Sequence, residues 1–270
     1  MPKIHPTAII EGNVSIGSEV EIGPYATIKG NVTICDGTII ETGTCIYGNV
    51  IIGESNKIGP YSIIGADPQD LKYKGEETGF VRIGNGNVIR EFVTIHKPTS
   101  KESETVIGNN CLLMVGSHIA HDAKVGNEVV LVNNALLGGF SIVEDGAFVS
   151  ALIGLHQHTR IGKYGIVGAL SKITQDIPPF TMAVGTPAEV VGINSIALRR
   201  RGFTVEQRNK IKECYKIIYR SEYTIRQAAQ KILEIFPNDE IVKYISDFIL
   251  SSKRGIAKGL RREEEESIEM

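Results

Sequence analysis

Tryptophan is absent from the 270 residues, and aromatic residues of all kinds make up only 6%. No uninterrupted apolar run approaches the roughly 18 residues of a membrane-spanning helix, which excludes a helical transmembrane segment. The opening residues, MPKIHPTAII, lack the basic-then-apolar layout of a secretory signal, so a cytoplasmic location is expected. Cysteines are few: Cys35, Cys45, Cys111 and Cys214. They lie far apart, without the paired spacing of a metal site, and read as reduced thiols. No recognised nucleic-acid-binding motif occurs and the net charge is −2, which argues against a nucleic-acid partner. The balance, 42% hydrophobic and 22% charged, is that of an ordinary globular chain. Its length suits one large domain, or one domain with an appendage.

What the chain has in abundance is isoleucine at a fixed step. Ile occupies positions 4, 10, 16, 22, 28, 34, 40, 46, 52, 58 and 64, eleven residues in strict steps of six. The series resumes at Ile83, Ile89 and Ile95. It then runs from Ile107 through Leu113, Ile119, Val125, Leu131, Leu137, Val143, Val149, Leu155, Ile161 and Val167 to Ile173. Neither a helix of period 3.6 nor a half-buried strand of period 2 calls for a step of six. A triangular coil does, because three short strands make one turn and each donates one aliphatic side chain inward. The predicted fold is therefore all-β, a parallel β-helix of hexapeptide repeats with about nine or ten turns between residues 3 and 190. Stacked at roughly 4.8 Å, each inward aliphatic contributes about 1.5–3 kcal/mol on burial.

The series breaks twice. Nineteen residues separate Ile64 from Ile83, which reads as a frame slip of one with the segment near 66–82 looping out. The slot at Lys101 is not apolar, so a second excursion is expected near 98–106. Loops held by a rigid coil are favourable places for function. The series stops at Pro178-Pro179, since proline lacks the ladder donor. A short helix over 194–200 follows, then TVEQRNKIKECYKIIYRS, with Thr204 and Gln207 in capping-box spacing and Ile211, Tyr215, Ile218 and Tyr219 on one face. The expected organisation is a coil over 1–192, a small α-helical domain over 193–260, and a charged, disordered tail over 261–270. Charge divides the same way. Residues 1–192 hold 13 Lys and Arg against 19 Asp and Glu, whereas 193–260 hold 14 against 7.

Several segments, taken in order, carry a resemblance. They are PQDLKY (68–73), VTIHK (93–97), SHIAHD (117–122), VNNALLGG (132–139), LHQ (155–157), QDIPPF (175–180) and RRRGF (199–203). Together with the basic helical tail, the chain resembles the acyl-carrier-protein-dependent UDP-N-acetylglucosamine O-acyltransferases, which open lipid A assembly. The resemblance spans residues 3 to about 258. It implies a left-handed coil, a homotrimer with sites between neighbouring coils, and transfer of a 3-hydroxyacyl chain to the sugar 3-position. No resident cofactor is implied, because the donor arrives on the phosphopantetheine arm of acyl carrier protein.

His121 stands two residues after inward Ile119, near a corner, so its imidazole faces outward. A surface histidine is the alternative, but the resemblance implies the general base, a role a neutral imidazole suits. Asp122 follows as a candidate orienting group, although neighbours on a strand point to opposite faces. His118 also faces out and either lines the cleft or is structural. Gly139 offers a backbone N–H for an oxyanion, or simply permits a tight corner. The resemblance assigns substrate contacts to Asp70 and Lys72 in the first excursion, to His156 and Gln157, and to Asn194, Arg200 and Arg201. Arginine's fork suits phosphate oxygens. The basic helical segment is read as a surface steering the acidic carrier. The acyl groove is expected near 165–173, with Ala169 or Leu170 limiting chain length or merely packing the coil.

The chain departs from the family at Phe140, His158 and Ile196, positions that bear on the acceptor pocket. N-acylation of a UDP-diaminosugar therefore stays open. So does a coenzyme-A-dependent acetyltransferase, which shares the coil and the histidine. A γ-type zinc carbonic anhydrase is a third class, since His118, His121, His156 and His158 sit on a coil and three imidazoles with a water make a zinc site. A non-catalytic scaffold that kept the fold is the fourth. The expectation adopted has no metal.

Overall fold

The computed structural model describes residues 1–259. Residues 3–193 wind into a triangular coil of parallel strands. Rungs align at a spacing of one turn: Ile4 pairs with Ile22, Ile22 with Ile40 and Ile40 with Ile58. Nine strands in this way line the first face, from Lys3–Ile4 to Ile166–Val167. The ladder is parallel until Thr181–Gly185 turns back antiparallel on Ala188–Ile193.

The six-residue series is the core. From Ile22 to Ile173 every in-frame side chain is at most 3% exposed. The first turn differs. Ile4 is 44% exposed, and Ile10 and Ile16 are half-buried, because no earlier turn covers them. Small polar residues at the inner corners satisfy themselves on the next turn's backbone: Thr38 Oγ1 donates to the Gly53 carbonyl at 2.9 Å, and Ser62 Oγ to that of Arg90 at 2.9 Å. Buried polar groups require such partners.

The two excursions differ from the frame-slip reading. Ile64 and Ile83 are consecutive rungs on adjacent faces, because Ile64 pairs with Ile46 while Ile83 pairs with Ile52. One six-residue step has simply been lengthened to nineteen residues. Likewise Ile95 and Ile107 are consecutive rungs, so Lys101 was never an inward slot and lies in a loop. Both insertions leave the same corner on successive turns and hold each other. Gly79 N–H donates to the Ser100 carbonyl at 2.8 Å, Thr105 N–H to that of Phe80 at 3.1 Å, and Lys101 Nζ reaches Glu77 at 3.0 Å.

Four helices follow: α1 (Ser195–Arg200), α2 (Val205–Arg220), α3 (Ile225–Ile235) and α4 (Glu240–Ser251). The capping box of Thr204 and Gln207 forms as the spacing predicts, and a second one, Thr224 with Gln227, opens α3. Ile211, Tyr215 and Ile218 are buried in a separate helical core with Phe180, Leu198, Ile232 and Phe248. A buried polar joint ties the helices to the coil. Asp176 accepts from Arg160 N–H at 2.8 Å and from Ser252 Oγ at 2.7 Å, while the Arg160 guanidinium lies 4.1 Å over the Phe248 ring. The charged tail expected over 261–270 lies outside the described residues. Among the described residues no helix is long and apolar enough to cross a membrane.

Candidate active site

The corner from which both excursions leave also carries the histidines. Strand His118–Ile119 ends there, and Lys124–Val125 begins the next face. Between them Asp122 adopts φ 61°, in the left-handed region. On an extended strand His121 and Asp122 would diverge. The corner instead swings them together, and His121 Nδ1 lies 2.8 Å from Asp122 Oδ2. A carboxylate only accepts, so Nδ1 carries the hydrogen, and in the neutral form of the ring Nε2 is the nitrogen with the free lone pair.

His121 points outside the coil, as its position predicts, yet it is only 7% exposed. Its cover comes from the same corner one turn on. The Phe140 ring meets the imidazole edge-on, with centroids 5.3 Å apart, and His158 stacks on Phe140 at 4.8 Å. Phe140 and His158 have φ 58° and 60°, so Asp122, Phe140 and His158 form one column of left-handed corner residues. Gly139 lies directly against His121. A Cβ built there would come within 2.4 Å of His121 Cε1 and 2.6 Å of Nε2. Gly139 does not have positive φ. Its lack of a side chain serves the imidazole's close approach, which replaces the tight-corner explanation. Its N–H has no partner among the described residues.

Asp122 is 5% exposed and its carboxylate is held from the second excursion. Thr99 Oγ1 donates to Oδ2 at 2.8 Å, and Thr99 N–H to the same oxygen at 3.2 Å. The Asp122 N–H donates to Thr105 Oγ1 at 2.9 Å.

His118 is half-buried, with Nδ1 2.7 Å from Thr94 Oγ1. It meets His96 edge-on at 4.8 Å. His96 is a site residue that sequence reasoning passed over. It follows inward Ile95, within the VTIHK segment, but a register shift between Ile95 and His96 turns it from a corner position into a buried one, 6% exposed. Bulges redirect side chains in this way. Burial drives its pKa down to about 4, and the neighbouring His118 and His121 push the same way. Burial also lowers the pKa of His118, followed by the charge of His121. His96 and His118 are therefore neutral imidazoles near neutral pH.

Asp70 and Lys72 sit on the first excursion. Asp70 Oδ1 accepts from the Lys72 N–H at 2.9 Å, Lys72 is exposed, and Leu71 between them is 93% exposed. Neither shares a hydrogen bond or ion pair with His121 among the described residues. Lys97 anchors the base of this loop through Asp67 at 2.6 Å and lies 5.4 Å over the Tyr73 ring. His156 and Gln157 are exposed at the same corner, two turns beyond His121.

The remaining candidates lie along a different edge. Asn194 is the N-cap of α1, accepting from Ala197 N–H at 3.2 Å and donating to the Tyr164 carbonyl at 2.8 Å. Arg201 pairs with Glu128 and lies 5.5 Å over Tyr164. Arg200 is exposed. Glu128 and Tyr164 belong to the corner between third and first faces, so one chain does not bring these residues to His121. Ala169 and Leu170 are exposed corner residues, Leu170 at 70%, and do not pack the coil. No three His, Cys, Asp or Glu side chains converge as a metal site among the described residues.

Comparison with known proteins gives the family of the chain. Residues 104–139 match the family model described as bacterial transferase hexapeptide (six repeats), and residues 176–257 match that of UDP N-acetylglucosamine O-acyltransferase, domain 2. The acyl-[acyl-carrier-protein]–UDP-N-acetylglucosamine O-acyltransferase of Thermodesulfovibrio yellowstonii is 45% identical, across 96% of this chain and 100% of its own. That of Aliivibrio fischeri is 43% identical, across 95% and 98%. Among solved structures, the UDP-N-acetylglucosamine acyltransferase of Francisella novicida superposes with a TM-score of 0.91 at 37% identity, covering 94% of each chain. That of Campylobacter jejuni gives 0.90 at 35%, covering 96% of this chain and 100% of the other. Likeness at this level over nearly the whole length, with the histidine corner and helical tail in place, establishes that the chain belongs to the acyl-[acyl-carrier-protein]–UDP-N-acetylglucosamine O-acyltransferase family.

Proposed function

We propose that this protein moves a 3-hydroxyacyl chain from acyl carrier protein to the 3-hydroxyl of UDP-N-acetylglucosamine, the first step of lipid A assembly, in the cytoplasm. The observation that carries the reading is the His121–Asp122 pair closed over Gly139, in a chain 45% identical to a named family member. His121 Nε2 takes the hydroxyl proton as the sugar oxygen attacks the thioester carbonyl. Asp122 holds Nδ1–H and stabilises the imidazolium. The Gly139 N–H, without a partner among the described residues, donates to the oxyanion. Collapse expels the phosphopantetheine thiolate, which takes the proton back from His121. The protein needs no cofactor of its own, because the carrier's arm supplies the activated acyl group.

The working form is a homotrimer. Two features support it. Asn194, Arg200 and Arg201 lie along another edge from His121, so a cleft between copies is what joins them. The first face also turns an apolar row outward, Val88, Leu112, Val130, Phe148 and Ile166, with Val88 and Phe148 each 38% exposed. Such a row marks an interaction surface. In that cleft Asp70 and Lys72 contact the sugar, His118, His156 and Gln157 line its approach, and the arginines meet the phosphates. The exposed corner at Ala169 and Leu170 borders the acyl chain. Acyl carrier protein docks on the basic helices, where Lys212, Lys216 and Arg220 border a shallow groove along α2.

The test is direct. The protein is incubated with UDP-N-acetylglucosamine and acyl carrier proteins bearing several chain lengths, and products are identified by mass. Mild alkali separates an ester from the amide a diaminosugar acceptor would give. A folded His121→Ala variant is expected to lose turnover by at least ~10²-fold. No acylated UDP-sugar with any donor, or near-normal kcat in His121→Ala, overturns the reading.

A further inference from the structure

We propose that Thr99 is a positioning residue for the His121–Asp122 pair, fixing the carboxylate from the second excursion loop. The proposal rests on the reading of His121 as the base. Among the described residues, the Asp122 carboxylate takes its hydrogen bonds from two residues, His121 and Thr99. It is nearly sealed from water, so no solvent donor readily substitutes for either. The imidazole and the Thr99 hydroxyl both converge on Oδ2, each at 2.8 Å. The Thr99 N–H spans the two oxygens, at 3.2 and 3.4 Å. This fork sets the rotation of the carboxyl plane. That plane sets the direction of the Nδ1–H bond, and so the aim of Nε2.

Thr99 can impose this only if it is itself fixed, and it is. The next residue, Ser100, bonds to Ser103 through its N–H at 3.3 Å and its hydroxyl at 3.2 Å, and its carbonyl accepts from Gly79 N–H at 2.8 Å. At Gly79 a Cβ would lie 2.0 Å from the Ser103 carbonyl oxygen, so the two excursions pack backbone against backbone. From the other side, Thr105 holds the Asp122 N–H. Both ends of the second excursion therefore grip Asp122, and the loop carrying Asp70 and Lys72 is latched beside one of those ends. The six-residue insertion is thereby a support for the base rather than a tolerated bulge.

The experiment compares Thr99→Val, Thr99→Ser, Asp122→Asn and the Thr99→Val/Asp122→Asn double variant in steady-state acyl transfer. Valine keeps the branched shape and the N–H but removes the hydroxyl donor. The expected result is a kcat lower by roughly tenfold to a hundredfold, the effect of a small misalignment of a catalytic group, with KM for the nucleotide sugar within about twofold. Thr99→Ser restores kcat, and Thr99→Val adds nothing in the Asp122→Asn background, as for residues acting through one contact. Thr99→Ala replaces valine should the latter fail to fold. A wild-type kcat in the valine variant, a parallel rise in KM, or losses that add fully in the double variant overturns the proposal. The His121 ring 15N signals give a readout independent of turnover: they shift in Thr99→Val and not in Thr99→Ser, and unchanged signals in the valine variant also overturn it. Absence of any acyl transfer by the wild type, with the nitrogen signals behaving as expected, sinks the functional reading and leaves the positioning role standing.

Discussion

Replacing Gly139 with alanine isolates the placement of the His121 ring from everything else in the corner. The added Cβ would sit 2.4 Å from His121 Cε1 and 2.6 Å from Nε2, whereas ordinary contact begins near 3.4 Å. The imidazole must therefore retreat by about 1 Å. It has little room to do so, since Phe140 closes one side and Asp122 holds Nδ1 at 2.8 Å. Retreat stretches a hydrogen bond to a charged group, worth about 1.5–3 kcal/mol. It also misplaces Nε2 by a distance that typically lowers rate ~10²-fold, or about 2.7 kcal/mol of barrier. Stability should fall by no more than the loosened hydrogen bond, about 1.5–3 kcal/mol, since the backbone itself accepts the change. Gly139 is not in the left-handed region, its carbonyl still accepts from the His158 N–H at 3.0 Å, and the substitution stiffens the unfolded chain. Its N–H survives, so the loss would report on the ring and not on oxyanion binding. The assay is kcat for acyl transfer beside thermal unfolding. A kcat within about threefold of wild type, against a ~10²-fold expectation, refutes the argument. So would a fall in Tm large enough to leave the enzyme unfolded at assay temperature.

Two further outcomes follow from the same structure. His96 has its pKa lowered to about 4 by burial, so between pH 6.5 and 4 the unfolded chain binds a proton that the native state refuses. Stability is then present above the unfolded value and lost as pH falls through that window, by up to roughly 3 kcal/mol. Chemical denaturation at pH 7 and pH 4.5 should show this loss, and His96→Phe should reduce it; an identical pH dependence in both proteins would remove His96 as its source. For the carrier, the basic helices predict a KM for acyl carrier protein that rises severalfold between about 50 and 200 mM salt. KM for the nucleotide sugar should respond less, and a carrier KM independent of salt would argue against electrostatic docking.

How much of this was legible beforehand depended on the range of the interaction. A step of six is a local, repeated signal, and each inward aliphatic reports independently, so the coil could be read residue by residue; Pro178-Pro179 end the six-residue step but not the coil, since Thr181–Gly185 adds one more parallel strand after them. The capping box at Thr204 and Gln207 was legible for the same reason. Motif likeness placed His121, but the partnership of Asp122 rested on a backbone sign, φ 61°, that no spacing reveals. Alternation along a strand would have separated the two side chains. The excursions were visible as interruptions, yet their path was not. Only pairing partners showed that Ile64 and Ile83, like Ile95 and Ile107, are neighbouring rungs with insertions between them. His96 was hidden because one extra residue in the facing strand, Gly65, shifts the register beside it.

The sequence by itself thus determined the architecture, the charged helical appendage and the corner that carries His121. These follow from periodic burial and from composition, which every residue shares with its neighbours six positions away. Only the tertiary structure decided what holds His121. Thr99, Asp122, Gly139 and Phe140 meet because an inserted loop folds back on a left-handed corner and the next turn stacks beneath it. Such contacts join residues far apart in the chain through the sign of a dihedral and the route of a loop, and neither leaves a period to read.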